Sequence, residues 1–482
     1  MASEPNYTEL LPNEVLCMVF DRLDVKNVKN CSLACKRWKD IIFYSDYVKR
    51  FDINISVFSN AASKTNPIES LLQKANQLAH TNRSYRNFSF LLVQGMEPLQ
   101  PIWKIIHPKH TSNMYSLYLN YIFVPIMDML PMVIDAIPSM ALLRTLGVLE
   151  EISVRRNISQ YKRQENIPQI RSASLKELTM HCKYKYTIDT PELKVFKGAL
   201  SGLLPPDGGD TEALVLAKLQ HLEITVESWQ SPDQSIVRRV PNLVKINWDI
   251  PVAENLFVAM CNSFPSLIEA RFSKELFISR PNVLNHLSKL AQLRRLFFYI
   301  IDIEQDVFVD LSELTHLEEL DLGFTHVMPI SLLSFSKTIK KLGLHLTASN
   351  GHSLMEIITR NLMQLTELGL ACHSAPLSTS VLKTLPSLQQ LEVLVFSHCH
   401  LKKSFFHQMN APMHRLRSLR FRHCELETTQ LLGLRDKFPN IKNPEFDECI
   451  SSIESEGDRD QNDGIQEFLF ALASQLQEAF RF

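Results

Sequence analysis

The sequence predicts a mixed α/β chain: a small N-terminal helical bundle, then a long solenoid of repeats with parallel strands on a concave face and short helices on a convex one. Three observations lead there. Between Leu11 and Ile42, apolar residues recur every three to four positions, the period of helices with one buried side. From Leu219 onward a six-residue phrase keeps returning, an apolar residue, two variable, an apolar, one variable, an apolar. Apolar residues make up 45% of the 482-residue chain and charged ones 21%, so most of it should fold.

The bundle comes first. Pro12 suits the first turn of a helix, where a missing N–H costs nothing. Val15, Leu16, Val19, Phe20 and Leu23 form one apolar stripe, and Asp24 is placed to cap the next helix. Val28, Cys31, Cys35, Trp38 and Ile42 share a second helical face. A module of roughly forty residues buries too little surface to be robust alone, so its exposed stripes need a partner.

Leu11-Pro12, Glu14, Leu16, Val19-Phe20, Leu23, Val28 and the run Ala34-Cys35-Lys36-Arg37-Trp38 resemble the F-box motif over residues 8–50. The resemblance implies a three-helix module that docks on the Skp-type adaptor of SCF ubiquitin ligases. Its implied contacts are Leu11, Pro12, Leu16, Val19, Phe20 and Leu23, with Trp38 as an internal anchor.

The returning phrase resembles the strand segment of leucine-rich repeats. Copies begin at Leu219, Leu243, Leu267, Leu293, Leu317, Ile339, Leu365, Leu391, Leu416 and Ile441, 22 to 26 residues apart. Less regular copies begin at Tyr85, Met114, Leu143, Leu175 and Leu193. Segments such as Ser353 to Met363 and Val381 to Leu385 have the spacing of short helices behind the strands, and Asn66 to Ala79 that of another helix. Such units stack into one continuous core. The expected division is therefore an F-box over 8–50 and a leucine-rich-repeat solenoid over 51–450, irregular to about 215 and regular from 219. An acidic linker follows over 451–463. Residues 464–482 end the chain with Ile465, Phe468, Leu469, Leu472, Leu476 and Phe480 along one helical face, read as a helix that covers the open end.

Several function classes are disfavoured. Lys and Arg number 51 against 52 Asp and Glu, without the positive field that draws a protein to nucleic acid. The densest apolar stretch, Ile126 to Leu143, is broken by Asp128, Pro131, Asp135 and Pro138 and makes a poor membrane span. Nine cysteines without a CxxC pair, and no secretory leader, point to free thiols in the cytosol or nucleus. His398-Cys399-His400, His423-Cys424 and Cys449 invite a zinc reading. However, the three cysteines occupy the ninth position of successive repeats, where a column of buried thiols explains them. No motif for catalysis, a metal or a cofactor is present.

The working surface is then the concave face, reached by the third, fifth and seventh residues of each repeat. Candidate target contacts are Arg295, Phe297, Tyr299, Glu319, Asp321, His345, Arg420 and Arg422. Phe297 and Tyr299 suit binding anchors, and the arginines suit an acidic or phosphorylated peptide. The architecture implies a non-catalytic substrate-recognition subunit, joined through the adaptor to cullin and RING proteins and holding an unidentified target protein for ubiquitination. The alternative is an F-box scaffold or regulator acting outside the ligase.

Overall fold

A computed structural model describes residues 10–56, 67–93, 100–122, 130–151, 167–182, 184–204, 215–225, 234–302, 306–347, 349–372, 377, 379–402, 404–427 and 433–451. The chain divides into two compact units, Met1–Leu344 and His345–Phe482. This boundary falls inside the run expected to form one solenoid. The acidic linker, beyond Ser451, and the apolar stripe of 464–482 lie outside the described residues.

Three short helices open the first unit: α1 (Asn13–Phe20), α2 (Val25–Cys31) and α3 (Lys36–Tyr44). Asp24 caps α2, its carboxylate accepting from the Asn27 N–H at 2.7 Å. Leu16, Phe20, Val28, Ile41 and Ile42 fill the bundle core. Phe20 meets Trp38 edge-on, ring centroids 5.4 Å apart, and Tyr47 at 5.7 Å. Phe43 and Phe51 stack at 6.0 Å, and the Arg83 guanidinium lies 3.7 Å from the Phe43 ring centre. The bundle thereby packs against Phe51 and Arg83, which lead into the first two strands.

Those strands pair in parallel, each with the next: β1 (Asp52–Ser56), β2 (Asn87–Val93), β3 (Ser116–Ile122) and β4 (Thr145–Glu151). β5 (Gln169–Arg171) pairs with β7 (Thr187–Asp189) in a sheet of their own. The main series continues from β4 through β6 (Glu177–His181), β8 (Val195–Gly198), β9 (His221–Ile224) and β10 (Lys245–Trp248). After the two-residue β11 (Val252–Ala253) come β12 (Glu269–Phe277), β13 (Arg295–Asp302), β14 (Glu319–Asp321) and β15 (Lys341–His345). In the second unit β16 (Glu367–Ala371), β17 (Val393–Ser397), β19 (Ser418–Arg422) and β21 (Glu445–Asp447) pair in parallel order. Beside them run β18 (His400–Leu401), β20 (Glu425–Leu426) and β22 (Ile450–Ser451).

A strand of the main series begins two residues after nearly every start of the repeated phrase, including the irregular early ones. The physical reason is alternation. In the copy from Leu219, strand residues run exposed, buried, half-buried, buried, with Leu222 and Ile224 turned into the core beside Leu219. Leu243, Ile246 and Trp248 repeat the arrangement, as do Leu293, Leu296 and Phe298. Parallel neighbours cannot be joined by a tight turn, and the return segments are short helices such as Gly351–Asn361 and Thr379–Thr384. Some returns are 3-10 helices instead, among them Pro281–Lys289 and Pro329–Ser334, each opening on a proline. The expected Asn66 to Ala79 helix is α4 (Pro67–His80). Among the described residues, no helix is long and apolar enough to cross a membrane.

Candidate functional site

Helical geometry sorts the apolar residues of α1 into two sets. At about 100° per residue, Leu16 and Phe20 point one way and Val15, Met18 and Val19 the other. Leu16 and Phe20, expected from the sequence to be adaptor contacts, are 2% and 1% exposed and belong to the bundle core rather than to an exposed face. Leu11, Val19 and Leu23 are exposed as expected, and so is Pro12. Met18, which the sequence reading passed over, is 67% exposed beside Val15 and Val19, and Leu10 and Leu33 are also uncovered. The signal was available in the helical offset of Met18 from Val15.

The entry to α1 is held from α3. Arg37 donates to the Leu11 carbonyl oxygen and to Asn13 Oδ1, the latter at 2.9 Å. Its neighbour Cys35 accepts from the Trp38 N–H at 3.5 Å at the start of α3. The run Cys35 to Trp38 therefore ties the exposed Leu11-Pro12 turn to the core through Trp38. At the far end of α1, Asp21 pairs with Arg50, whose guanidinium lies 5.0 Å from the Tyr47 ring centre. Burial, together with the Asp21 charge, pushes the Tyr47 phenol up to about 12, so it stays protonated throughout the physiological range. An apolar face, a braced entry turn and a polar rim have the anatomy of a protein-docking surface.

The comparisons agree with this geometry. Residues 8–53 match the F-box-like family. The chain thus carries an F-box-like domain at its N-terminus. Over 44 residues it is 41% identical to F-box only protein 48 of Homo sapiens. The alignment takes in 9% of this chain and 28% of that relative.

The candidate target residues fall on both units. In the first, Lys245, Glu269, Arg295, Glu319 and Lys341 stand side by side in register across β10 to β15. Glu269 binds Lys245 at 2.8 Å and Arg295 at 2.6 Å, and Glu319 binds Lys341 at 3.1 Å. Arg295 and Glu319 are thus members of a charge ladder. Burial raises the Glu269 carboxyl, but the hydrogen bonds and charges of Lys245 and Arg295 outweigh it and hold the group below its ordinary value. Phe297 lies under the Arg271 guanidinium at 4.7 Å. Tyr299 is exposed and meets Phe324 edge-on at 5.4 Å. Asp321 accepts from the Gly323 N–H at 2.9 Å.

In the second unit the outcome is divided. His345 is 5% exposed, a core position and not the surface contact expected of it. Arg420 is half-buried and pairs with Glu445 at 3.0 Å, and Arg422 is exposed.

The cysteines Cys399 and Cys424 are buried. The Cys399 thiol donates to the Ser397 carbonyl at 3.3 Å, Cys424 to that of Phe396 at 3.3 Å and Cys449 to that of Phe421 at 3.4 Å. His398 and His423, which precede two of them, adopt left-handed φ of 52° and 49° and stack at 4.8 Å. Glu448 repeats the turn at 49° before Cys449. The pattern is a structural column in which thiols satisfy backbone oxygens. Among the described residues no group of His, Cys, Asp or Glu is arranged to hold a metal.

Proposed function

We propose that this chain is a substrate-recognition subunit of an SCF-type ubiquitin ligase, acting in the cytosol or nucleus. The F-box-like domain takes the Skp-type adaptor, and the sheet face takes a target protein. One observation carries the reading: within a segment that matches the F-box-like family, Leu11, Val15, Met18, Val19 and Leu23 are left uncovered. Leaving such residues in water is costly, at about 25 cal/mol for each Å², and an adaptor surface relieves that cost.

The adaptor contacts in this reading are Leu11, Pro12, Val15, Met18, Val19 and Leu23, with Leu16 and Phe20 supporting them from beneath. The target contacts in this reading are exposed strand residues of the first unit, foremost Arg295 and Tyr299; in the second unit, taken by itself, Arg422 is the exposed candidate. The ligase performs its chemistry elsewhere, and this subunit raises the concentration of a target lysine near the conjugating enzyme.

Reconstitution tests it. Mixed with adaptor, cullin, RING protein, activating and conjugating enzymes, the chain should promote ubiquitin transfer to a co-purifying protein. Assembly of all subunits with no modified partner from any cell extract contradicts a receptor role and leaves a scaffold.

A further inference from the structure

Arg271 stands apart from the other Lys and Arg residues on strands β8 to β15. Lys197 pairs with Glu223 at 3.2 Å and Lys274 with Asp249 at 4.0 Å. Glu269 is shared by Lys245 and Arg295, and Glu319 takes Lys341. Among the described residues Arg271 has no carboxylate partner and lies over the Phe297 ring instead, at 4.7 Å. The other carboxylates around it are turned elsewhere. Asp321, beside Phe297 on β14, leans toward β15, where a Cβ on Gly343 would meet its carboxyl carbon at 2.5 Å, and it accepts from the Gly323 N–H. Glu275 follows on β12 beyond a β-bulge, in register with Ile300 rather than with Phe297. Two residues along β13 from Phe297, Tyr299 is 42% exposed and backed by Phe324.

We propose, resting on the receptor role, that Arg271, Phe297 and Tyr299 receive an extended segment of the target in which an acidic or phosphorylated side chain lies two residues from an apolar one. Charge selects the occupant. Lys245 and Arg295 together outweigh the one carboxylate they share, so the ground beside Arg271 is positive. A guanidinium laid on a ring keeps its planar N–H fork for two parallel bonds to a carboxylate or a phosphate. Spacing selects the neighbour. Same-side residues of an extended peptide are about 7 Å apart, as are Phe297 and Tyr299 along β13. An acid held at Arg271 therefore brings the residue two positions away onto the Tyr299 ring, a suitable apolar anchor. Asp321 on β14 and Glu275 further along β12 repel a second anion, so the site takes a single acidic group and not a polyanion such as a nucleic-acid backbone.

Fluorescence polarisation of the full chain with short labelled peptides tests this. The central residue is Asp, Glu, phosphoserine or Gln, and the residue two positions before or after it is Leu, Phe or Lys, in a background of Ala and Ser. Peptides with an anionic centre and Leu or Phe should bind, and those with Gln or with Lys should bind at least about tenfold more weakly. Arg271→Gln should lose about 10- to 100-fold in affinity, and Arg271→Lys most of that, having no fork. Tyr299→Ser should keep the preference for an anionic centre and lose the one for Leu or Phe. Binding of phosphoserine peptides alone identifies the anion as a phosphate, and binding of Asp and Glu peptides as a carboxylate; either upholds the site. Equal binding by Arg271→Gln and the unaltered chain overturns it, as does the failure of every peptide to bind at about 1 mM. Adaptor affinity should be the same in all these variants, so failure here strikes the ligand class and leaves the receptor role to reconstitution.

Discussion

Arg37 reaches from α3 to the Leu11 carbonyl oxygen and to Asn13 Oδ1 at 2.9 Å, fixing the turn from which the exposed face of α1 begins. Removing the guanidinium frees that turn without opening the core. Arg37→Ala should weaken adaptor binding by about 3- to 10-fold, the effect of losing roughly 0.5–1.5 kcal/mol of hydrogen bonding. Titration calorimetry reads the affinity, and a large fall in melting temperature would instead make Arg37 a fold residue.

The two faces of α1 predict opposite behaviour. Phe20→Ala removes a ring buried between Trp38 and Tyr47 and should cost about 3–5 kcal/mol of stability. Met18→Asp should change stability by less than about 0.5 kcal/mol yet abolish adaptor binding. Urea unfolding together with a binding assay separates them.

Acid should loosen the first unit through Glu269. Its carboxyl is held low in the folded chain, against an unfolded value of about 4.3. A depressed folded value gives stability that is complete above the unfolded pKa and lost as pH falls through the folded one. Glu269→Gln should therefore be less stable than the unaltered chain at pH 7, by roughly 1 kcal/mol, with the gap closing below pH about 4. A gap that stays constant from pH 7 to pH 3 would refute the linkage.

Gly323 holds φ at 54°, and a Cβ there would stand 1.9 Å from the Tyr299 carbonyl oxygen. Gly323→Ala should cost about 1–3 kcal/mol, read by thermal unfolding, and should disturb Tyr299 and Asp321 together. An unchanged melting temperature would show that the turn adapts freely.

Much of this fold was legible in the sequence because strand alternation fixes which residues turn inward. The phrase that begins at Leu219 or Leu391 predicts both the strand and its buried positions, and even the weak copies at Tyr85 and Leu175 precede strands. Other features were not legible. Leu16 and Phe20 belong to the same apolar stripe as Val19, and only the packing of Trp38 and Tyr47 against Phe20 shows which side of α1 is spent on the core. On the sheet, position in a repeat predicted the face but not the partners. Arg295 and Glu319 read as isolated contacts until the register set Glu269 and Lys341 beside them, which makes them members of a paired row. His345 holds an outward position by count and is nonetheless buried. The left-handed turns at His398, His423 and Glu448 had no glycine to announce them.

The most direct measurement is hydrogen exchange of the full chain with and without a purified Skp-type adaptor, repeated with Met18→Asp/Val19→Asp. Protection gained over residues 11–25 on adding adaptor, and absent in the double variant, is the predicted result. Unchanged exchange there in the presence of saturating adaptor would contradict the account.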